Sequence, residues 1–284
     1  MNREENEFEF TIIALIYRSP VMLLFFFFYL NLYTPEIRKR KVEFFFVANN
    51  PNFRTKVTLR TLRLRHYLFN SPVLTEELML ERNIANPEYL SRVYAAYNFG
   101  VHQAKSKKVI LVNSDMIFSK NWLTELSKHG ENFIVSANLV ERNHPKFSTF
   151  PGAIQKNFGS KFATFRRRKW NFFVEASKIG QLRTTRTGGS YMPVLLDKSA
   201  FESEGGYFEG NLGNGENLDV ILSYGDEDLF RRLNLRGLEH ITSLNSFCYH
   251  FKEGERETSP KVFFENRIGI KIRRYREQKG KNIA

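Results

Sequence analysis

The sequence predicts an α/β fold, a single domain with a mostly parallel, twisted, Rossmann-like sheet and helices on its faces. Short runs of apolar, β-branched residues recur along the chain, as in strands that are buried on both faces. Segments with helical hydrophobic spacing separate them, and this alternation is typical of βαβ units. The 284 residues are enough for one such domain with a continuous core.

The first half of the chain contains most of the predicted elements. Ser19 and Pro20 form an N-cap and first-turn pair that begins a helix. The predicted strands are 10–16, 42–48, 109–112 and 133–140, and the predicted helices are 19–31, 87–104 and 122–128. In sheets of this kind, ligands bind beyond the carboxyl ends of the strands.

The second half is more irregular. Strands are predicted over 191–196 and 241–251, with a short helix capped by Asp197 and a longer helix over 226–235. Residues 261–284 form a basic tail in which Phe and Ile alternate with Lys and Arg. This tail either lies on an anionic membrane surface near a lipid-linked acceptor or packs as an ordinary helix with a solvated face.

Charge and cysteine content restrict the class of protein. The net charge is +13, from 43 basic and 30 acidic residues, which favours nucleic acid, anionic lipid or phosphate-bearing substrates as partners. The single cysteine, Cys248, excludes an intramolecular disulfide and a Cys-based zinc site. The longest apolar run, 21–30, is shorter than the about 20 residues that span a bilayer. It does not have the position of a signal peptide, so a cytoplasmic protein is expected.

Three groups of polar residues are expected at the edge of the sheet where ligands bind, beyond the carboxyl ends of its parallel strands. Asp115 ends Asn113-Ser114-Asp115 directly after a predicted strand, where a carboxylate beside neutral oxygens suits Mg²⁺ or Mn²⁺. The alternative is that it only caps the next turn. His250, near the end of the last strand, is a potential metal ligand, although a single histidine is often structural.

The third group is an acidic triplet, Asp226-Glu227-Asp228, at the start of a predicted helix. Adjacent carboxylates repel one another, which raises the pKa of at least one of them and suits a general base. The alternative is an acidic first turn with ordinary i,i+4 ion pairs, such as Asp228 with Arg232.

Taken in chain order, these segments resemble the nucleotide-sugar-dependent glycosyltransferases of the GT-A fold, family 2 above all. The segments are NSD after a buried strand, GGSYMPVLLDKSAFESEGGY, GDEDLFRRLNLRG and YHFKEGE. The resemblance extends over about 10–255. It implies a GT-A domain over 1–260, with a nucleotide-sugar-binding half over about 8–125 and an acceptor and catalytic half over about 126–260.

The resemblance also implies roles for individual residues. Asn113-Ser114-Asp115 stands at the family's DxD motif, with Asn in place of the first Asp, and His250 resembles a late His that joins Asp115 on the metal. The acidic triplet would supply the general base, with Asp226 favoured over Glu227 and Asp228. The implied donor-binding residues are Tyr17, Arg18, Asn49, Asn98, Asn113, Ser114 and Asp115. Segments 188–190 and 204–207 would shape the acceptor side.

The implied reaction is metal-dependent and inverting, with Mn²⁺ or Mg²⁺ as cofactor. A sugar moves from a nucleotide-diphosphate donor to a hydroxyl of a glycan, lipid-linked or protein acceptor. Three alternatives stay open. A nucleic-acid-binding protein is suggested by 166–169 beside Trp170, but the sequence has no recognised nucleic-acid-binding motif. A nucleotidyltransferase would need a Gly-rich basic loop after the first strand. An inactive relative is suggested by Asn113.

Overall fold

A ten-stranded sheet organises the fold. The computed structural model describes residues 8–39, 41–71, 87–129, 132–143, 149–209, 212–214 and 217–252, so the basic tail 261–284 lies outside the described residues. The strands are β1 (Phe10–Ile16), β2 (Val42–Asn49), β3 (His66–Phe69), β4 (Lys108–Asn113), β5 (Met116–Phe118), β6 (Phe133–Glu141), β7 (Ile154–Gln155), β8 (Thr185–Thr187), β9 (Val194–Asp197), β10 (Leu212–Asn214), β11 (Asn217–Ser223) and β12 (Glu239–His250).

The sheet has the order β3-β2-β1-β4-β9-β6-β12-β5, with β7 beside β6 and β8 beside β12. The β3-β2-β1-β4 half is parallel, and so is the β6–β12 pair. Strand β9 lies antiparallel between β4 and β6, and β5 and β8 pair antiparallel with β12. Strands β10 and β11 form a separate hairpin.

Helices cover both faces of the sheet. They are α1 (Pro20–Tyr33), α2 (Pro35–Arg38), α3 (Phe53–Thr61), α4 (Pro87–Gln103), α5 (Trp122–Leu126), α6 (Arg167–Lys178), α7 (Lys198–Ser203) and α8 (Gly225–Leu235). A 3-10 turn (Phe162–Thr164) precedes α6. This mixed α/β architecture with a mostly parallel sheet confirms the predicted fold class.

The residues at the helix starts explain where the helices begin. The Ser19 hydroxyl accepts a hydrogen bond from the Met22 amide over 3.3 Å, and Pro20 occupies the first turn of α1. Asp197 accepts hydrogen bonds from two amides at the start of α7. These caps satisfy amide groups that have no partner inside their own helix.

Two apolar layers sandwich the sheet. Alternate side chains of β1 enter opposite layers, so that Ile12 packs with α1 and Ile13 packs with α4. Gly100 allows the close approach of α4, because a Cβ there would lie 2.8 Å from a methyl group of Ile13 and 2.9 Å from one of Val47. Helix α4 therefore lies closely over β1 and β2, and it reaches the carboxyl ends of the strands.

The predicted strands and helices agree with the structure to within a few residues, but the prediction of the sheet was incomplete. It did not include β3, β5, β7, β8, β10 and β11. Five of these strands have two to four residues, too few to show a strand periodicity, whereas β11 has seven residues. The antiparallel direction of β9 also depends on tertiary pairing, which no local pattern specifies.

Candidate active site

The sheet brings predicted donor-binding residues from three strands to one edge. Tyr17 and Arg18 follow β1, Asn49 ends β2, and Asn113 ends β4. Because β2, β1 and β4 are parallel neighbours, their carboxyl ends lie side by side. The Arg18 side chain crosses from β1 toward β2, where its Nε donates a hydrogen bond to the Asn50 carbonyl over 3.2 Å.

Asn49 is buried and hydrogen-bonded to protein groups at both ends of its amide. Its Nδ2 donates to the Arg92 carbonyl over 3.2 Å, and its Oδ1 accepts from the Ser71 hydroxyl over 2.9 Å. Asn49 therefore joins the end of β2 to helix α4 and to the segment after β3. Its predicted contact with the nucleotide stays a prediction.

Arg92 belongs to the same region and was missed by the sequence analysis. Its side chain on α4 is only 9% exposed, and its Nε has no hydrogen-bond partner among the described residues. A buried guanidinium group with an unused donor is suited to an anionic or carbonyl-bearing ligand. The available signal was an arginine next to the apolar stripe of this amphipathic helix.

Asp115 and His250 are in contact just beyond the carboxyl end of β4. Strand β12 pairs antiparallel with β5, and this register places His250 opposite Met116. The His250 Nε2 lies 3.0 Å from the Asp115 Oδ2, and the Asp115 carbonyl accepts a hydrogen bond from the Phe251 amide. Residues that are far apart in the sequence are thus brought into direct contact, and their role as metal ligands stays a prediction.

The carboxylate of Glu141, at the end of β6, contacts the second ring nitrogen of His250. The His250 Nδ1 donates to Glu141 Oε1 over 2.8 Å, while Oε2 accepts from the Lys252 ammonium over 2.8 Å and from the Phe150 amide over 3.1 Å. The Glu141 side chain has no solvent exposure, and that of Lys252 is 4% exposed. Sequence analysis did not identify Glu141. Its only signal was a carboxylate at the end of an apolar strand.

The two carboxylates determine the protonation of this cluster. Burial opposes the charged imidazolium, but the charge of Asp115 and hydrogen bonds with Asp115 and Glu141 raise the pKa of His250 to about 10. Burial alone would raise the pKa of Glu141, yet His250 and Lys252 hold it below its ordinary value. Without a cation, the imidazole is therefore protonated at neutral pH between the two carboxylates.

The Asp115–His250 pair has a spacing that suits a divalent cation. Octahedral ligands at the about 2.1 Å typical of Mg²⁺ are about 3.0 Å apart when adjacent, which is close to the observed separation. Glu141 binds Nδ1, so Nε2 becomes the free lone pair once its proton leaves. Within the described ranges, no group of three or more His, Cys, Asp or Glu side chains is arranged for a metal. The remaining ligands would come from substrate oxygens and water.

The three residues of the acidic triplet lie in different environments. The Asp226 Oδ1 accepts hydrogen bonds from the Tyr94 hydroxyl over 3.1 Å and from the Glu227 amide over 3.0 Å. Burial nevertheless raises the pKa of Asp226 to about 6. Glu227 is exposed at the first turn of α8. Asp226 is therefore the member of the triplet whose pKa suits proton transfer near neutral pH.

Asp228 is engaged in ion pairs. Its carboxylate lies 2.8 Å from a nitrogen of Arg231 and 2.8 Å from the Nε of Arg232. Burial works against its ionised form, but the two guanidinium groups lower the pKa of Asp228 below its ordinary value. Arg232 also donates to the Gly206 carbonyl over 2.8 Å. The i,i+4 ion pair between Asp228 and Arg232 that the sequence suggested is present. The hydrogen bond from Arg232 to Gly206 joins α8 to the 204–207 segment.

Helix α4 connects the two halves of the site. The Tyr97 hydroxyl contacts the Asn113 Oδ1 at 2.8 Å, and Tyr94, one turn earlier, donates to Asp226. Asn98, on the same helix, makes hydrogen bonds of 2.8 Å with both the amide and the carbonyl of Tyr207. This pattern fixes the predicted base relative to the loop 113–115. The predicted contact of Asn98 with the donor stays a prediction.

The segment 188–190, predicted for the acceptor side, packs against β12. Gly189 has a φ of +142°, and a Cβ there would collide with the Thr242 hydroxyl. That hydroxyl donates to the Gly188 carbonyl over 2.5 Å. Glycine is therefore required at 189 by both backbone conformation and space.

Two further sequence observations have structural outcomes. Trp170, considered as a nucleic-acid contact beside the basic run, has no solvent exposure and packs on Tyr249. It belongs to the core and offers no stacking surface. No helix in the described part of the chain is long and apolar enough to cross a membrane.

Two glycosyltransferase structures are among the solved structures to which this chain is similar. Mannosyltransferase PcManGT from Pyrobaculum calidifontis, solved with GDP-Man and Mn²⁺, is 12% identical with a TM-score of 0.47 and matches 86% of this chain and 57% of that one. TarS of S. aureus (1–349) is 13% identical with a TM-score of 0.49, over 90% and 62% of the two chains. This chain thus covers about three fifths of each. No family model and no curated protein match the sequence.

Proposed function

We propose that this protein is a metal-dependent, inverting glycosyltransferase that moves a sugar from a nucleotide-diphosphate donor to an acceptor hydroxyl. The observation that carries the proposal is the 3.0 Å pairing of Asp115 with His250 at the sheet edge, with Asp226 held to the same helix that contacts Asn113. A cation-ligand pair and a carboxylate base are the two requirements of this reaction.

Asp115 and His250 are proposed to hold Mn²⁺ or Mg²⁺. Bound there, the cation would neutralise the charge that develops on the diphosphate leaving group. Glu141 orients the imidazole so that its Nε2 faces Asp115. Asn113 replaces the first Asp of the DxD motif, and its Oδ1 contacts Tyr97. Asp115 is therefore the proposed carboxylate ligand from this loop.

The donor nucleotide is proposed to lie over the carboxyl ends of β1, β2 and β4. The residues that the sequence predicts to contact the donor are Tyr17, Arg18, Asn49, Asn98, Asn113, Ser114 and Asp115. Arg92 is added because its guanidinium group is buried and its Nε has no hydrogen-bond partner among the described residues. A cationic donor group at this edge is suited to the nucleotide.

Asp226 is proposed to act as the general base. Its carboxylate takes the proton of the acceptor hydroxyl, and the hydroxyl oxygen forms a bond to the anomeric carbon. The bond from that carbon to the phosphate oxygen breaks at the same time, and the nucleoside diphosphate leaves with the electron pair. The attack occurs from the face opposite the leaving group, so the configuration at the anomeric carbon is inverted.

A thermal-shift screen of nucleotide-sugars with and without Mn²⁺ tests the proposal. We expect one donor to raise the Tm strongly, and only when the metal is present. The His250→Ala variant should lose the metal-dependent part, whereas Leu235→Ser, an exposed substitution at the opposite end of α8 from Asp226, should keep it. Failure of every nucleotide-sugar to stabilise the protein would contradict the proposal.

The alternative is an inactive relative that binds donor without transferring sugar, as Asn113 in place of the first Asp suggests. A donor would stabilise both the inactive relative and the active transferase, but only the transferase would turn the donor over. Release of nucleoside diphosphate in the presence of a glycan, lipid-linked or protein acceptor separates the two. If the donor stabilises the protein but no acceptor class accelerates its breakdown, the inactive relative is favoured.

A further inference from the structure

Helix α1 is apolar around its circumference and is only partly covered by the protein. No residue of α1 is charged. Leu24, Phe28 and Leu32, spaced four residues apart, are 45%, 57% and 40% exposed, whereas Phe26 is fully buried. The four-residue spacing places the three exposed side chains on one stripe, and Phe28 lies about 200° around the helix from Phe26. An uncovered apolar stripe of this kind marks an interaction surface.

A basic run lies directly beside this stripe. The rings of Phe25 and Phe162 are stacked with centroids 5.3 Å apart, and Tyr29 meets Phe165 edge-on at 5.8 Å. The next four residues, 166–169, are Arg-Arg-Arg-Lys, and all four are exposed. Contacts between aromatic rings therefore hold the start of α6 against α1.

Helix α6 extends the same combination of charge and apolar exposure. Phe172 is 77% exposed on the side of α6 opposite the buried Trp170. Among the described residues, none of the four basic side chains of 166–169 pairs with a carboxylate. Glu175 is the only acidic residue in 166–183. The positive charge is therefore available to an external anionic partner.

We propose that this protein docks on an anionic membrane surface through the face formed by Leu24, Phe28, Leu32, Phe172 and 166–169, which we call the α1–α6 face. Apolar side chains enter the region between headgroups and acyl chains, while guanidinium and ammonium groups contact lipid phosphates. A nucleic acid would satisfy the basic run but would leave the apolar stripe in water. The combination therefore favours a bilayer.

The α1–α6 face is held close to the candidate site. Trp170 packs on Tyr249, with ring centroids 5.8 Å apart, and Tyr249 precedes His250 on β12. A helix is about 10 Å in diameter, so the docked surface lies roughly one helix away from this strand. This arrangement suits a lipid-linked acceptor. The docking proposal does not depend on sugar transfer.

Co-sedimentation of the 284-residue chain with vesicles tests the proposal. One set of vesicles is phosphatidylcholine with about one third phosphatidylglycerol, and the other is phosphatidylcholine alone. We expect binding to the anionic vesicles that weakens as NaCl is raised. An apolar variant (Leu24→Ser, Phe28→Ser, Leu32→Ser) should bind about tenfold or more weakly. So should a charge variant with Gln at all four positions of 166–169.

Leu235→Ser is the matched control, because Leu235 is 78% exposed on α8, outside the α1–α6 face. It should bind anionic vesicles as the wild type does. Thermal unfolding shows whether each variant folds, and Phe28→Ser alone replaces the triple variant if the triple variant does not. A further variant with Gln at Arg273, Arg274 and Arg276 compares the basic tail.

Three results would overturn the proposal. The first is no binding of the wild type to anionic vesicles. The second is loss of binding in the charge variant with full binding in folded apolar variants, which indicates electrostatic adsorption alone. The third is loss of binding only in the tail variant. None of these outcomes bears on sugar transfer, which the nucleotide-sugar screen measures separately.

Discussion

Glu141 binds the His250 imidazole from the side opposite Asp115: the His250 Nδ1 donates to Glu141 Oε1 over 2.8 Å. The same carboxylate accepts from Lys252 over 2.8 Å, and neither Glu141 nor Lys252 is open to solvent. This buried carboxylate therefore fixes the orientation of the ring, with Nδ1 toward Glu141 and Nε2 toward Asp115.

Glu141→Gln should lower the free energy of unfolding by about 3–5 kcal/mol, because it removes the buried charge that accepts hydrogen bonds from Lys252 and His250. Urea unfolding at neutral pH measures the change. The double variant with Lys252→Met is the control, and it should recover a large part of the loss because both charges are removed. Equal destabilisation of the single and double variants would show that Lys252 does not depend on Glu141.

Asp226→Asn and Asp228→Asn should fail in different ways. Asp226→Asn should lower kcat for transfer by about a hundredfold or more while donor binding is retained, because an amide cannot take the acceptor proton. Asp228→Asn should lower the unfolding free energy by about 1–3 kcal/mol, because it breaks the ion pairs with Arg231 and Arg232. Rate assays and urea unfolding separate the effects. Wild-type turnover in both variants would rule out this base.

The rate of transfer should fall at acid pH. The pKa of Asp226 is raised to about 6, and a base must be deprotonated, so at saturating metal kcat/KM should be constant above this value and fall about tenfold per pH unit below it. Tyr94→Phe removes a hydrogen bond that lowers this pKa and should move the acid limb to higher pH. Tyr97→Phe, whose hydroxyl contacts Asn113, should leave the position of the limb unchanged. An unmoved limb in Tyr94→Phe would argue against Asp226.

Gly100→Ala should destabilise the fold by about 1–3 kcal/mol, because its Cβ would meet methyl groups of Ile13 and Val47 at under 3 Å. Thermal or urea unfolding measures the loss. His102→Ala, on the exposed side of the same helix, is the control and should change stability by less than about 0.5 kcal/mol. Similar values for the two variants would mean that α4 moves away from the sheet at little cost.

The parts of this structure that follow from local pattern were predictable from the sequence. β1, β2, β4 and β6 are runs of apolar residues long enough to be recognised, and their carboxyl ends locate Asp115 and Asn49. The meeting of Asp115 and His250 was an inference from the family resemblance, and the β5–β12 register brings it about. Such a register is a long-range property that periodicity does not contain.

Glu141 and Arg92 show why the remainder was not predictable. Glu141 follows an apolar run and precedes Arg142, and Arg92 lies between Ser91 and Val93. The sequence gives no indication of whether either side chain faces solvent or the interior. Their burial depends on partners that are remote in the chain, namely His250 and Lys252 for Glu141. Trp170 shows the opposite case, because its basic neighbours suggested a binding surface whereas its ring fills the core.

Tyr94 and Tyr97 join two parts of the candidate site to one helix, α4. Because Asp226 and Asn113 are both tied to this one helix, a small rotation of its axis displaces them together and keeps their spacing. Changes in the flanking loops can therefore alter which molecules enter while the distance between these two side chains stays constant. Redesign of selectivity is best directed at those loops, with the helix left intact.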